Sequence, residues 1–370
     1  MTVRVALVIE RFEPRGGGVE SVAWNVAGAL ARRGVAVHVL ARRGDDPPGP
    51  VTLHRLPVPS FWQPLRVVAF SRAVARCAAR ERFDVVHSFS RTRHQDVFRA
   101  GGGSHADYLD RSHGPLARAL RRVSPRHTVL LGIERRVFAD AAQILQCNSP
   151  MVREQLIARY GIAPERIVVI PNGVDLERFR PTGREARDAV RAELGGDGPV
   201  WLFAGSGFPR KGLETALSAV ALAGPAGTLW VAGKDDPSPW RRRAEALGIA
   251  GRVRFLGARD DLERLYAAAD ALVLPTRYDA FANVCLEALA SGLPVVTSRA
   301  NGAAPWVREA GLVVDDPDDA AGFAKALSRL SDPATRSALA ERARPVAEPL
   351  GWDAHAAALC ELYDLSLIHI

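Results

Sequence analysis

Residues 271–298 read ALVLPTRYDAFANVCLEALASGLPVVTS, and this stretch decides the fold. Ala271–Leu274 is an uninterrupted apolar run of strand length, the pattern of a strand buried on both faces. A polar turn follows at Pro275–Asp279. Residues 282–290 then carry apolar side chains at helical spacing, Gly292 stops the helix, and Pro294–Thr297 is a second apolar run. Strand, helix and strand in that order make a parallel β-α-β unit.

Outward from this unit the alternation continues. Val200–Ala204, Thr228–Ala232 and Val253–Leu256 read as further strands, with helices over 212–223, 238–248 and 261–269. The first half repeats the theme. Val3–Ile9 is a strand, Gly16, Gly17 and Gly18 open a helix from Val19 to Arg33 that ends at Gly34, and Val35–Leu40 is the next strand. Asp84–His87, Ala142–Cys147 and Ile167–Ile170 extend the same sheet, and Pro171-Asn172-Gly173-Val174-Asp175, leading to Arg180-Pro181, reads as a linker. A chain of 370 residues accommodates two ordinary domains. The expected architecture is α/β: two Rossmann-like doubly wound domains, residues 1–170 and 171–350, facing each other across a cleft, with a last helix at about 351–364 crossing back to the first. The terminal LSLIHI (Leu365–Ile370) matches what a sequencing adapter would encode in frame and is set aside as a probable artefact.

Composition narrows the function classes. Apolar residues form 48% and charged residues 24% of the chain, which argues against disorder. No apolar run approaches the length of a bilayer span, and Glu10 and Arg11 interrupt the first apolar segment too early for a signal peptide. Cys77, Cys147, Cys285 and Cys360 are scattered, which favours a reducing compartment over a disulfide or zinc framework. The expected location is therefore cytoplasmic. Charge is unevenly placed: residues 1–170 hold 26 Arg and no Lys against 14 acids, a net of +12, whereas the remainder is net −4. A basic half calls for an anionic partner.

Several motifs fail. Gly205-Ser206-Gly207-Phe208-Pro209-Arg210 has Arg where a dinucleotide fingerprint needs its third Gly, and Gly212 is followed by Leu213 and Glu214, so there is no P-loop. Neither H-E-x-x-H nor G-x-S-x-G is present. What remains is Gly205–Gly212 (GSGFPRKG), in which Arg210 and Lys211 follow a strand and precede a helix starting near Leu213. Backbone N–H groups at a helix N-terminus attract anions, and two added cations would make a diphosphate clamp. The same pair could equally be solvated in a surface loop. In the second constellation Asp279 lies just past a strand and Glu287 on the next helix, among apolar neighbours. A carboxylate on such a face needs a donor, and a ribose diol would supply two. Asp279, with the backbone N–H groups of Phe281, Ala282, Asn283 and Val284, suits sugar hydroxyls and a phosphate. A cap for Asp279 and an Arg partner for Glu287 is the alternative.

Taken in order, GGGVE (Gly16–Glu20), PNGVDLERF (Pro171–Phe179), FPRKG and the Asp279-x7-Glu287 element followed by ALASGLPVV resemble the family 4 retaining glycosyltransferases of the GT-B fold, most like the lipopolysaccharide-core glucosyltransferase I group. The likeness spans essentially residues 1–363. It implies transfer from a nucleotide-activated sugar with retention, no essential metal and no cofactor beyond the donor. By position it assigns Glu287 to the nucleotide ribose, Asp279 to donor-sugar hydroxyls, Lys211 to the diphosphate, Gly17 and Gly18 to the turn closing on the diphosphate, and the stretch from Leu256 to Arg259 to the base. Asp96 and His105 match residues near the reacting sugar, and either could equally be structural. Two departures stand out: Asp279 is one methylene shorter than the usual Glu, and Ser206 stands where the family's arginine lies, leaving Arg210 as its replacement. The resemblance further implies that the acceptor hydroxyl attacks on the leaving-group face and that domain closure would exclude water.

The resemblance places the acceptor, often lipid-linked, on the basic N-terminal half. Residues 115–123 would form a helix with Leu116, Leu120 and Val123 on one stripe and Arg118, Arg121 and Arg122 off it, the pattern of an interfacial helix, although an arginine-rich genome would decorate a surface helix similarly. Peripheral attachment to the inner face of the cell membrane follows as the expectation. Specific nucleic-acid binding is not expected, since no helix-turn-helix, RRM or KH signature appears. The expected reaction is hexose transfer, UDP-glucose first, to a glycolipid or cell-envelope glycan such as lipopolysaccharide core. The alternatives are GDP-mannose or ADP-heptose on the same scaffold, or a protein that binds a nucleotide sugar without transferring it.

Overall fold

Apolar runs flanked by Gly and Pro turns become the centres of two parallel sheets. The computed structural model describes residues 3–14, 16–59, 61–112, 121, 124–196, 198–225 and 227–368. Contacts divide the chain into two units, Met1–Gly173 with Trp352–Ile370, and Val174–Gly351.

In the first unit the strands are β1 (Arg4–Phe12), β2 (Ala36–Gly44), β3 (Thr52–Arg55), β4 (Val85–Ser88), β5 (Val97–Arg99), β6 (Ile144–Cys147) and β7 (Ile167–Val169). They pair in the order β3-β2-β1-β4-β5-β6-β7, with parallel registers throughout. β1 runs past the predicted end at Ile9 because Arg11 and Phe12 still pair with Arg43 and Gly44. Glu10, next to them, is paired to Arg66 at 2.6 Å and to Arg42 at 3.3 Å. The helices Gly18–Arg32 and Trp352–Ile368 share one core with the sheet, through Val22, Val26, Leu30, Leu359 and Tyr363. The helix Gln63–Glu81 builds a separate core with Ala6, Val8 and Leu40 through Phe70, Ala73, Val74, Cys77 and Ala78, the i, i+3, i+4, i+7, i+8 stripe of a half-buried helix. The segment 115–123 singled out in the sequence lies, apart from residue 121, outside the described residues.

The second unit contains β8 (Val200–Ala204), β9 (Thr228–Ala232), β10 (Val253–Gly257), β11 (Ala271–Leu274), β12 (Val295–Ser298) and β13 (Gly311–Val314), in the order β10-β9-β8-β11-β12-β13, again parallel. Its core is centred on fully buried β8, β9 and β11, with Trp201 and Trp230 among its largest side chains. In each sheet the order reverses beside the unit's first strand, at β1/β4 and at β8/β11. In open α/β sheets ligands bind outside the carboxyl ends of the strands at such a switch point. Among the described residues no helix is long and apolar enough to cross a membrane.

Candidate functional site

The two constellations picked from the sequence sit on the two sides of the β8/β11 switch point. β8 ends at Ala204. Gly205 (φ 130) and Gly207 (φ 81) adopt backbone conformations that side chains disfavour, turning the chain sharply into a short helix, Phe208–Lys211. Gly212 (φ 79) then breaks it before the longer helix Leu213–Leu222 begins. Arg210 and Lys211 therefore lie within a single helical turn just ahead of the helix that starts, as expected, at Leu213. β11 ends at Leu274, and its loop is stitched to this turn: the Arg277 N–H donates to the Arg210 carbonyl at 2.8 Å.

Asp279 draws both cations together. Arg210 donates to its Oδ2 at 3.2 Å and to the Tyr278 carbonyl at 2.8 Å, and the Lys211 Nζ donates to the same Oδ2. Lys211 is itself buried, so this ion pair is shielded from solvent. Burial alone would raise the Asp279 carboxyl, but the Lys211 and Arg210 charges outweigh it and hold the group below its ordinary value. The Asp279 backbone is also fixed, donating to the Ala300 carbonyl at 3.0 Å and accepting from the Gly302 N–H at 2.8 Å. Glu287 lies one turn along the helix Asn283–Ala290, where the Tyr266 hydroxyl donates to its Oε2 at 2.8 Å. Burial pushes the Glu287 carboxyl up, against that hydrogen bond. Its partner is thus a tyrosine, not the arginine the sequence left open.

Some of the N–H groups around the expected cradle are already committed. Gly207 donates to both Asp235 oxygens at 2.9 Å, and Phe208 donates to Oδ2 at 2.7 Å. Asp235 follows β9, the strand beside β8, and so reaches the turn from the side. Ser206 belongs to the same seam, its Oγ accepting from the Lys234 N–H at 3.2 Å. Of the run Phe281–Val284, Phe281 donates to Asp279 Oδ1 and Ala282 to Asn301 Oδ1, both at 3.2 Å. At the Gly207–Phe208 turn and at Phe281–Ala282, side-chain oxygens therefore take N–H groups that an anion would otherwise meet. Leu256 lies near the end of β10, half-buried. Asp235, Tyr266 and Asn301 are the residues sequence reasoning missed.

In the first unit Gly17 and Gly18 follow β1 at the carboxyl edge, Gly17 capping the helix Gly18–Arg32 with φ 158. A Cβ at Gly17 would approach the Glu20 carboxylate at 2.9 Å, so the turn takes no larger residue without shifting that side chain. His105 opens the helix His105–Ser112, also on the carboxyl side, with its ring stacked on His127 and 2.7 Å from it between Nε2 and Nδ1. Burial, reinforced by Arg91 and His127, lowers its pKa to about 3, so the ring is neutral. The His105 backbone N–H donates at 2.6 Å to Glu134, a fully buried carboxylate that also takes Arg91 at 3.1 Å and the Tyr160 hydroxyl at 2.7 Å. Asp96 is placed differently. It precedes β5, at the amino edge of the sheet, and its Oδ2 accepts from the Val86 N–H at 2.7 Å. That is a strand-pairing anchor, on the opposite edge from Gly17, Gly18 and His105. Among the described residues no three His, Cys, Asp or Glu side chains come together as a metal site.

A parallel α/β unit with a partly buried Arg-Lys-carboxylate cluster at its switch point, in a chain that holds a second parallel α/β unit, has the make-up of a group-transfer enzyme, and comparison with known proteins defines which. The Glycosyltransferase Family 4 model matches residues 16–178, and the Glycosyl transferases group 1 model residues 198–332. A D-inositol 3-phosphate glycosyltransferase of Acidothermus cellulolyticus is 31% identical, across 95% of this chain and 87% of its own length. Among solved structures, that of WaaG, a glycosyltransferase involved in lipopolysaccharide biosynthesis, superposes with a TM-score of 0.83 at 26% identity, covering 97% of this chain and 99% of its own. Sucrose-phosphate synthase of Thermosynechococcus elongatus gives a TM-score of 0.80 at 25% identity over the whole of both chains. The chain belongs to the family 4 glycosyltransferases and is a transferase of the GT-B fold.

Proposed function

We propose that the protein transfers a hexose, with retention, from a nucleoside diphosphate sugar to a glycolipid or cell-envelope glycan, with UDP-glucose as first donor and lipopolysaccharide core as first acceptor. The observation that carries the donor half is the convergence of Arg210, Lys211 and Asp279 at the β8/β11 switch point, with Glu287 on the adjoining helix. As the glycosidic bond breaks, its electrons pass to the diphosphate, and cations already fixed where that charge appears lower the barrier. Arg210 and Lys211 are held by Asp279 and so need little reorganisation to meet it. Glu287, with Tyr266 on one oxygen, retains acceptor capacity for ribose hydroxyls. The acceptor hydroxyl oxygen bonds to the anomeric carbon on the face from which the diphosphate leaves, and its proton passes to the departing diphosphate oxygen. No metal or other cofactor enters this scheme. Gly17, Gly18 and His105 are proposed to serve the reacting end from the first unit. Asp96 is proposed to be structural.

The lipopolysaccharide reading is supported by the full-length likeness to WaaG. A second acceptor, an inositol phosphate, is favoured by the curated relatives, of which the Acidothermus protein spans 95% of this chain. The +12 first half suits a peripheral position on an anionic inner membrane in the first case and a phosphorylated acceptor in the second. The deciding experiment measures nucleotide release from UDP-glucose, GDP-mannose and ADP-heptose, each with lipopolysaccharide-core acceptor, with D-inositol 3-phosphate and with neither. Glu287→Gln runs alongside. Release from one donor, stimulated by one acceptor and lost in the variant, supports the proposal and selects the acceptor. Tight UDP binding by folded protein with no release under any condition overturns it in favour of a binding protein.

A further inference from the structure

Large apolar side chains are exposed together where the chain enters the helix Gln63–Glu81. Phe61 is 82% exposed, Trp62 54% and Leu65 36%. They follow β3, so they stand on the carboxyl rim of the first sheet, the rim that carries Gly17, Gly18 and His105. The buried stripe of this helix is already accounted for by the core. Leu65, Ala69, Arg72 and Arg76, spaced by four, three and four residues, lie together on another face. There Pro57, Pro59, Ala69, Arg72, Ala75 and Arg76 line an open groove of about 530 Å³.

The arginines of this element are used unequally. Arg66 is spent on Glu10 at 2.6 Å and Arg80 on its neighbour Glu81 at 2.9 Å. Arg72 and Arg76 are exposed and form no ion pair among the described residues, and Glu81 is the helix's only acid. Two uncompensated guanidinium groups therefore flank an apolar groove on a helix whose N-terminus carries an exposed phenyl and an exposed indole. Guanidinium groups fork onto phosphate oxygens, an apolar groove accepts hydrocarbon, and Trp settles where hydrocarbon meets headgroup. A protein partner would need acids matched to both arginines and a cover for both rings; one anionic lipid surface meets all four features together.

We propose that the face formed by Phe61, Trp62, Leu65, Arg72 and Arg76 docks on an anionic phospholipid bilayer, the two rings entering the interface and the two arginines holding headgroup phosphates. This rests on the reading that the enzyme works at a membrane, and it assigns the contact to a different element from the 115–123 segment.

The test uses the full chain with vesicles of phosphatidylcholine, with and without 30% phosphatidylglycerol. Each basic residue near such a surface contributes about 1 kcal/mol, a factor of about five, so Arg72→Gln/Arg76→Gln should weaken partition onto anionic vesicles by about 30-fold at low salt. Phe61→Ser/Trp62→Ser should weaken it by about tenfold or more. Brominated lipid should quench a component of the fluorescence that Trp62→Phe removes, a readout that works in folded protein without relying on the other variants. Both double variants should release nucleotide from donor at the wild-type rate without vesicles, which separates this proposal from the glycosyltransferase assignment. If they bind vesicles like wild type while Arg118→Gln/Arg121→Gln does not, the contact lies elsewhere and the membrane reading survives. If wild type binds neither vesicle, both fall. A dimer that Phe61→Ser/Trp62→Ser converts to monomer would show instead that a second copy covers the face.

Discussion

Asp235 offers the most direct test of how the donor site is held. It makes no ion pair with Arg210 or Lys211, yet it accepts from the Gly207 and Phe208 N–H groups at 2.7–2.9 Å, and these residues begin the turn that carries both cations. Hydrogen bonds to a charged acceptor contribute about 1.5–3 kcal/mol each when buried, and Asp235 is half-buried, so the pair is worth about 2 kcal/mol to the turn. Asp235→Ala strands both N–H groups and lets the turn open towards solvent. A displacement of about 1 Å in a charge-positioning group costs up to about 100-fold in rate. The expected result is a loss of turnover between about 10- and 100-fold, with weaker donor binding and an unchanged fold by circular dichroism. Asp235→Asn, which keeps one acceptor oxygen, should fall between wild type and alanine. A folded Asp235→Ala protein whose turnover stays within about twofold of wild type would refute the argument that this carboxylate positions the clamp.

Lys211→Ala should lower turnover by about 100-fold or more in nucleotide release, since it removes a fixed cation where the diphosphate charge develops. Gly212→Ala should destabilise the second unit by about 2–5 kcal/mol, because φ 79 is unfavourable for alanine and its Cβ would run into the Pro275 carbonyl; Gly248→Ala, at φ 69 with open space around it, should cost only about 1 kcal/mol in the same thermal-melt comparison. The first unit should lose stability in acid. Burial, with Arg91 beside His105 and Arg99 beside His355, lowers these rings to about 3 and about 4, and burial also puts His87 well below its ordinary value. A base whose folded pKa is depressed stabilises above its unfolded value and loses that contribution as pH falls from about 6.5 towards the folded values, so at pH 5 the His105 and His355 rings each cost about 2 kcal/mol and His87 adds a cost of the same sign. Urea midpoints measured at pH 7 and pH 5 should differ accordingly, and equal midpoints would show that these histidines protonate in the fold.

What the sequence made legible, and what it hid, follows from where the information resides. β8, β9 and β11 match the predicted strands residue for residue because strands buried on both faces are apolar at nearly every position. β3 went unread because an edge strand of sequence TLHR, partly exposed, carries no such run, and β5 is only three residues long. At the site, Arg210, Lys211, Asp279 and Glu287 were legible because a charge beside a strand end or on an apolar face needs a reason. Asp235 was not, since its partners are 27 and 28 residues away and meet it only because β9 lies next to β8. Tyr266 reads as an ordinary core aromatic until its hydroxyl is found on Glu287. The commitment of the Gly207 and Phe208 N–H groups was hidden for the same reason. Whether an N–H at a strand end is available depends on what the neighbouring strand's loop brings to it, and strand order is a property of the whole sheet. Local sequence therefore identifies the cations of such a site better than its backbone donors, and a carboxylate following the adjacent strand is the first place to look for what has claimed them.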